Sequence, residues 1–197
     1  MKKIALFILV LVVPFTVIAQ QWNELDVSKS SQTVSEIMKV VRGVKQLDWN
    51  FKQVKKSPAI TQPVVSTGRM HYVAPDQVDW VYVTPENLTV KFKDNKISVF
   101  RDGTEQHLSP KQQMGLKNMM KMIVGMSNGS SLFDDRNFEW KLFENDGFYK
   151  VKMLPKNKNA KRMFVQIELL FDKKGNAVSS LEMTESDNSV TTITFSK

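Results

Sequence analysis

From Leu47 onward the chain changes its apolar rhythm, and that rhythm constrains the fold more than any other feature. Leu47, Trp49 and Phe51 alternate with Asp48, Asn50 and Lys52. Met70 and Tyr72 then alternate with Arg69 and His71, and Val78, Trp80 and Tyr82 follow at the same spacing. Leu88, Val90 and Phe92 alternate with Thr89, Lys91 and Lys93, and Ile97 and Val99 come next. A period of two puts one set of side chains on one face of a strand. Each run ends in turn chemistry: Ala74-Pro75-Asp76, Thr84-Pro85-Glu86, Asp94-Asn95 and Asp102-Gly103. Short strands at this even spacing pair as an antiparallel meander and exclude βαβ units. Further strands are expected at 138–144, 148–154, 163–171, 178–184 and 190–195. Asn145-Asp146-Gly147 and Lys174-Gly175-Asn176 offer hairpin turns with left-handed backbone.

Two segments break the pattern with a period of 3.6. Val34, Ile37, Met38, Val41 and Val44 share one helical face, and Thr33 with Glu36 reads as a capping box at its start. The second helix opens at Ser109-Pro110-Lys111-Gln112, with Ser at the N-cap, Pro at N1 and Gln at N3. Gly125 or Gly129 is placed to end it. It runs through "GLKNMMKMIVGM" (Gly115 to Met126), which holds four of the eleven methionines. Leu116, Met119, Met120, Ile123 and Met126 form its stripe, flanked by Met122 and Val124. The apolar arc covers about 200°, twice the ~100° that docking on a core requires. A helix this apolar either sits deep or has two apolar clients. Methionine suits the second case, because it is unbranched and adapts to irregular partners.

About ten antiparallel strands and two amphipathic helices make a mainly β, α+β domain. A sheet of that size curls into an incomplete barrel, and helices inserted in it cover the concave side.

The chain opens with "MKKIALFILVLVVPFTVIAQQ". Lys2 and Lys3, an apolar run from Ile4 to Val13, and Val17-Ile18-Ala19 make residues 1–19 a cleavable secretory signal peptide, with 20–197 as one mature domain. The run is too short to span a bilayer. There is no cysteine, so no disulfide framework and no thiol for a lipid anchor. A bacterial periplasm accommodates such a protein. Without Lys2 and Lys3 the chain keeps 26 basic and 20 acidic residues, a formal +6. The densest basic stretch, "PKNKNAKR" (Pro155 to Arg162), contains no aromatic residue, which argues against nucleic acid. It reads as a solvated loop, with a patch facing an anionic membrane or an acidic partner as the alternative.

Catalytic chemistry has no candidate constellation. His71 and His107 stand in no metal-ligand spacing, and His71 reads as an outward strand residue. Glu182 and Glu185 fall on opposite strand faces. No nucleophile elbow, phosphate loop or dinucleotide fingerprint is present. The expectation is no enzyme activity, no catalytic residue, no metal and no cofactor.

Three stretches carry a likeness to a known family: "DWNFKQ" (Asp48 to Gln53), "STGRMHYVAPDQVDWVYVTP" (Ser66 to Pro85) and "VKFKDNKISVF" (Val90 to Phe100). Their order resembles the LolA family of periplasmic outer-membrane lipoprotein carriers, best over residues 34–126. The resemblance implies an incomplete antiparallel barrel under a helical lid, with the acyl chains of a lipoprotein held between them. It implies cargo taken from an inner-membrane lipoprotein-releasing ABC transporter and delivered to the outer membrane by a monomer, with the acceptor unidentified. Candidate cavity residues are Trp49, Phe51, Met70, Tyr72, Trp80, Tyr82, Val90 and Phe92. Candidate lid residues are Leu116, Met119, Met120, Ile123 and Met126. Proteobacterial members carry an Arg before the first Pro of the motif, where it helps to latch the lid. Ala74 stands there in this chain, so the latch is either another group or apolar packing. Two alternatives remain at this stage: a lipid- or lipoprotein-sensing module on the same fold, and an assembly protein whose concave face is packed core.

Overall fold

The structure is a computed structural model, described for residues 21–175 and 177–197. The expected leader and its cleavage site lie outside the described residues. Twelve strands form one sheet: β1 (Asn23–Glu24), β2 (Gln46–Lys56), β3 (Val64–Val73), β4 (Gln77–Thr84), β5 (Leu88–Lys93), β6 (Lys96–Arg101), β7 (Thr104–Glu105), β8 (Phe138–Glu144), β9 (Phe148–Pro155), β10 (Phe164–Asp172), β11 (Ala177–Glu185) and β12 (Val190–Ser196). The helices are α1 (Val27–Gly43), α2 (Pro110–Ser127) and α3 (Lys158–Lys161).

Every strand pair is antiparallel, in the order β1-β8-β9-β10-β11-β12-β2-β3-β4-β5-β6-β7. Two meanders, β2–β7 and β8–β12, are sewn together where β12 pairs with β2, with Phe195 opposite Phe51. The edge strands β1 and β7 do not pair with each other, so the sheet stays open. The expected barrel is therefore incomplete, with α1 and α2 laid on its concave side.

The turns explain the tight meander. Asp94 and Asn95 both take left-handed backbone (φ 49° and 60°), as do Asp102 and Gly103 (φ 49° and 78°). Two successive left-handed residues match the twist of a two-residue hairpin. At 145–147 the expected left-handed glycine does not occur. The Asn145 side chain closes that turn instead, its Oδ1 accepting from the N–H groups of Gly147 (3.0 Å) and Phe148 (2.8 Å). Asn176, the last residue of the other expected turn, lies outside the described residues.

The register places the alternating residues on one face. Trp49 faces Met70, which faces Trp80, which faces Val90. The row Leu142, Val151, Leu169, Leu181 and Ile193 continues it through the second meander. The opposite parity is polar, as in the outward pair Asp48 and His71, 2.6 Å apart.

Three local expectations are corrected. Helix α1 starts at Val27, capped by Asp26, whose Oδ1 accepts from the Lys29 N–H at 2.9 Å. Its first turns carry no apolar stripe, Val27 being 85% exposed, so periodicity cannot reveal them, and Thr33 is a buried mid-helix residue rather than a cap. The stretch Pro155 to Arg162 contains the short helix α3, capped by Asn157, where a plain loop was expected. The two-residue edge strands β1 and β7 are too short to show a period.

Candidate functional site

Helix α2 has the capping box expected of it. Ser109 Oγ accepts from the Gln112 N–H, and the Gln112 side chain accepts from the Ser109 N–H. The helix runs to Ser127, past Gly125, and Gly129 (φ 81°) turns the chain away. Its docked centre is Met120 (1% exposed), with Val124 and Met126 also buried. Leu116, Met119, Met122 and Ile123 are only partly buried against the core. Val124, expected at the margin of the stripe, belongs to its centre.

The flanks of this interface line two separate spaces. Ile123, Met126 and Ser127 close a cavity of about 100 Å³ against α1 and its C-cap (Val40, Val41, Val44) and the concave sheet. From the first meander its wall takes Leu47, Trp49, Met70 and Trp80; from the second it takes Leu169, Val178, Leu181 and Phe195. Among the described lining residues Ser127 alone carries a hydroxyl, amide or charge. Met119 and Met122 border the second space, a groove of about 560 Å³ between α2 and α3, walled by Ala160, Met163, Phe164 and Met183. Lys55 and Glu185 form an ion pair (2.7 Å) at this groove, and Thr191 Oγ1 also donates to Glu185 Oε1.

Of the cavity candidates, Trp49, Met70 and Trp80 stand on the cavity wall. Phe51, Tyr72, Val90 and Phe92 share their face but are buried in solid packing. Tyr82 is half-buried, and its OH donates to Gln53 Oε1 at 3.1 Å. Burial pushes its phenol pKa up, with the Gln53 bond opposing. Of the lid candidates, Ile123 and Met126 line the cavity, Met119 lines the groove, Met120 is the docking centre, and Leu116 is half-buried. Residue reasoning missed the contribution of α1 and of the second meander. Val41 and Val44 were already on the predicted helical face, so that signal was present.

Aromatic packing depends on one glycine. Gly68 lies opposite Phe51 on one side and Tyr82 on the other. Without a Cβ there, the Phe51 ring crosses β3 to reach Trp80 (centroids 4.5 Å) and Tyr82 (5.3 Å, edge-on). A Cβ at Gly68 would collide with the Val81 carbonyl and the Phe51 ring.

The end of α2 is tied to the sheet by a polar contact that does not involve Ala74. Asn128, the C-cap, donates from Nδ2 to the Pro75 carbonyl at 3.2 Å, and its Oδ1 accepts from the Ser130 N–H. Tyr72 OH reaches the same Pro75 carbonyl at 3.4 Å. The turn after β3 thus holds the helix by its backbone oxygen.

No curated protein matches the chain significantly. Similar solved structures include a LolA superfamily protein of Nitrosomonas europaea, at 10% identity over 84% of this chain and 91% of that one, TM-score 0.44. The MucA/MucB complex of Pseudomonas aeruginosa matches at 12% identity over 85% of this chain and 55% of that one, TM-score 0.47. Mycobacterium tuberculosis lipoprotein LppX matches at 10% identity over 87% and 96%, TM-score 0.43. The family described as outer membrane lipoprotein carrier protein LolA matches residues 42–197, which include every strand from β2 to β12, and the chain belongs to that family.

Proposed function

We propose that this protein is a periplasmic carrier that holds the acyl chains of lipoproteins between α1, α2 and the concave sheet. The observation that carries the reading is the cavity under α2, apolar but for Ser127 among its described lining residues and walled by both helices and both meanders. Moving one methylene from membrane to water costs ~0.8 kcal/mol, so one chain of roughly fifteen costs on the order of 12 kcal/mol. A lipoprotein crosses an aqueous space only if a carrier supplies an equivalent apolar surface.

The cavity as it stands is too small for that load. At about 100 Å³ it is smaller than the engineered cavity of ~150 Å³ that accepts a single benzene. Loading therefore requires α1 or α2 to shift. The half-buried methionines of α2 are suited to that movement, because they exchange partners with little strain.

On this reading the protein works as a monomer, exported by cleavage near Ala19. It takes acylated lipoproteins from an inner-membrane lipoprotein-releasing ABC transporter and passes them to an outer-membrane acceptor still to be identified. Its role is binding and transfer rather than catalysis, and it needs no cofactor. Native mass spectrometry of the mature protein purified from its own host tests this: co-purified acylated mass supports it, and a domain that is always empty contradicts it. Transfer of a labelled lipoprotein from loaded carrier to outer-membrane vesicles separates transport from sensing; binding without transfer would favour the sensor.

A further inference from the structure

The basic stretch Pro155 to Arg162 is left unused by the cavity, yet it borders the second groove. Helix α3 and its flanking residues form one lip of that groove through Asn157, Ala160 and Met163, and α2 forms the other through Met119, Lys121 and Met122. Lys158, Lys161 and Arg162 stand exposed on the first lip and Lys121 on the second. None of the four makes an ion pair among the described residues. The groove's own carboxylates are engaged: Glu185 with Lys55, and Asp134 with Arg136 and Asn137. The lip is held in shape, since Asn157 Oδ1 accepts from the Ala160 N–H (2.8 Å) and Ser186 Oγ donates to the Arg162 carbonyl. Beside these cations the apolar side chain of Met163 is 40% exposed. Met163 also lines the groove, so an apolar path runs from the surface inward.

From this juxtaposition we infer that the α2–α3 groove is a membrane-docking face, which sets its basic lips on the anionic headgroups of a phospholipid surface. The inference rests on the carrier reading, and names the surface at which that carrier meets a bilayer. Charge complementarity favours lipid as the occupant. Unpaired cations on both lips match a sheet of phosphates, and the exposed Met163 between them matches the apolar boundary just beneath. Each Lys or Arg near an anionic bilayer strengthens binding about fivefold, and the effect fades within a Debye length. The face would bind at low salt and release as salt rises.

The test is sedimentation of the mature protein with vesicles of phosphatidylglycerol and phosphatidylcholine, and with phosphatidylcholine alone. Binding is expected only to the anionic vesicles and should weaken with salt. Lys158→Gln, Lys161→Gln and Arg162→Gln together should weaken it by roughly 100-fold. Removing three exposed cations elsewhere, Lys52→Gln, Lys93→Gln and Lys96→Gln, should change it only a few-fold. Equal loss in the two triple variants would reduce the effect to net charge and overturn the inference. So would equal binding to the neutral vesicles, no vesicle binding, or capture of an acidic protein by these cations while vesicles are ignored. Both variants should still bind a fluorescent acyl probe. Loss of vesicle binding with probe binding intact in the α3 variant supports the docking face. Failure of the unmodified protein to bind the probe would defeat the carrier reading instead.

Discussion

Met120→Glu separates a movable lid from an ordinary core helix. Met120 is 1% exposed at the centre of the α2 interface, with Val124 and Met126 buried beside it. Burying three such side chains contributes about 1.5–3 kcal/mol each, or roughly 5–9 kcal/mol before the cost of ordering the helix. An unpaired carboxylate at the same place costs several kcal/mol. The two terms are of similar size, so undocking α2 is the cheaper escape if the sheet can stand without it. The variant should then keep its strand circular dichroism and a cooperative urea transition, shifted to lower urea by no more than the lost docking energy. It should bind no acyl probe. Met153→Glu is the companion, since Met153 is fully buried within β9 and is itself part of the sheet. That variant should unfold outright. If Met120→Glu loses its strand signal as Met153→Glu does, α2 is an integral part of the core and the lid reasoning fails.

Gly68→Ala should destabilise by about 3 kcal/mol or more in urea titration, because its Cβ would meet a paired backbone carbonyl that cannot withdraw. A change below about 1 kcal/mol would show that β3 and β4 relax freely. Asn128→Ala should cost about 1–2 kcal/mol from two lost hydrogen bonds and speed acyl-probe exchange; unchanged exchange rates would mean that Asn128 does not restrain α2. Asp134 is held below the usual carboxylate range, first by the Asn137 amide and also by Arg136. A depressed folded pKa stabilises above the ordinary value and loses that contribution as pH falls through the folded one. Protection of the Arg136 amide, taken relative to its intrinsic exchange rate at each pH, should therefore fall as pH drops through the folded value, and Asp134→Asn should remove that step; a pH-independent protection factor would refute this.

What was legible in the sequence was whatever repeats. Ten of the twelve strands follow from alternation, because each buries one face and solvates the other. The capping box of α2 follows from three side chains within a single turn. The start of α1 was hidden because its first turns bury nothing, and α3 because four residues carry no periodicity. The cavity was legible as a face but not as a boundary. Trp49, Met70 and Trp80 border open space while Phe51, Tyr72, Val90 and Phe92 on the same face are packed solid. That difference comes from where α1 and α2 cross the sheet, which no strand period encodes. The contact between Asn128 and the Pro75 carbonyl was equally hidden, since the two are brought together only by the docking of α2.

On the carrier reading, the space between the helices and the concave sheet opens to hold acyl chains. Trp49 and Trp80 line that space, whereas Trp22 and Trp140 do not. With Trp22→Phe and Trp140→Phe in place, tryptophan emission reports the cavity alone. Titration with a lipopeptide carrying brominated acyl chains, which quench indole on contact, measures entry directly. Saturable quenching of Trp49 and Trp80 is expected, reversed by unbrominated lipopeptide and lost in Met120→Glu. Binding that leaves these two tryptophans unquenched would contradict it.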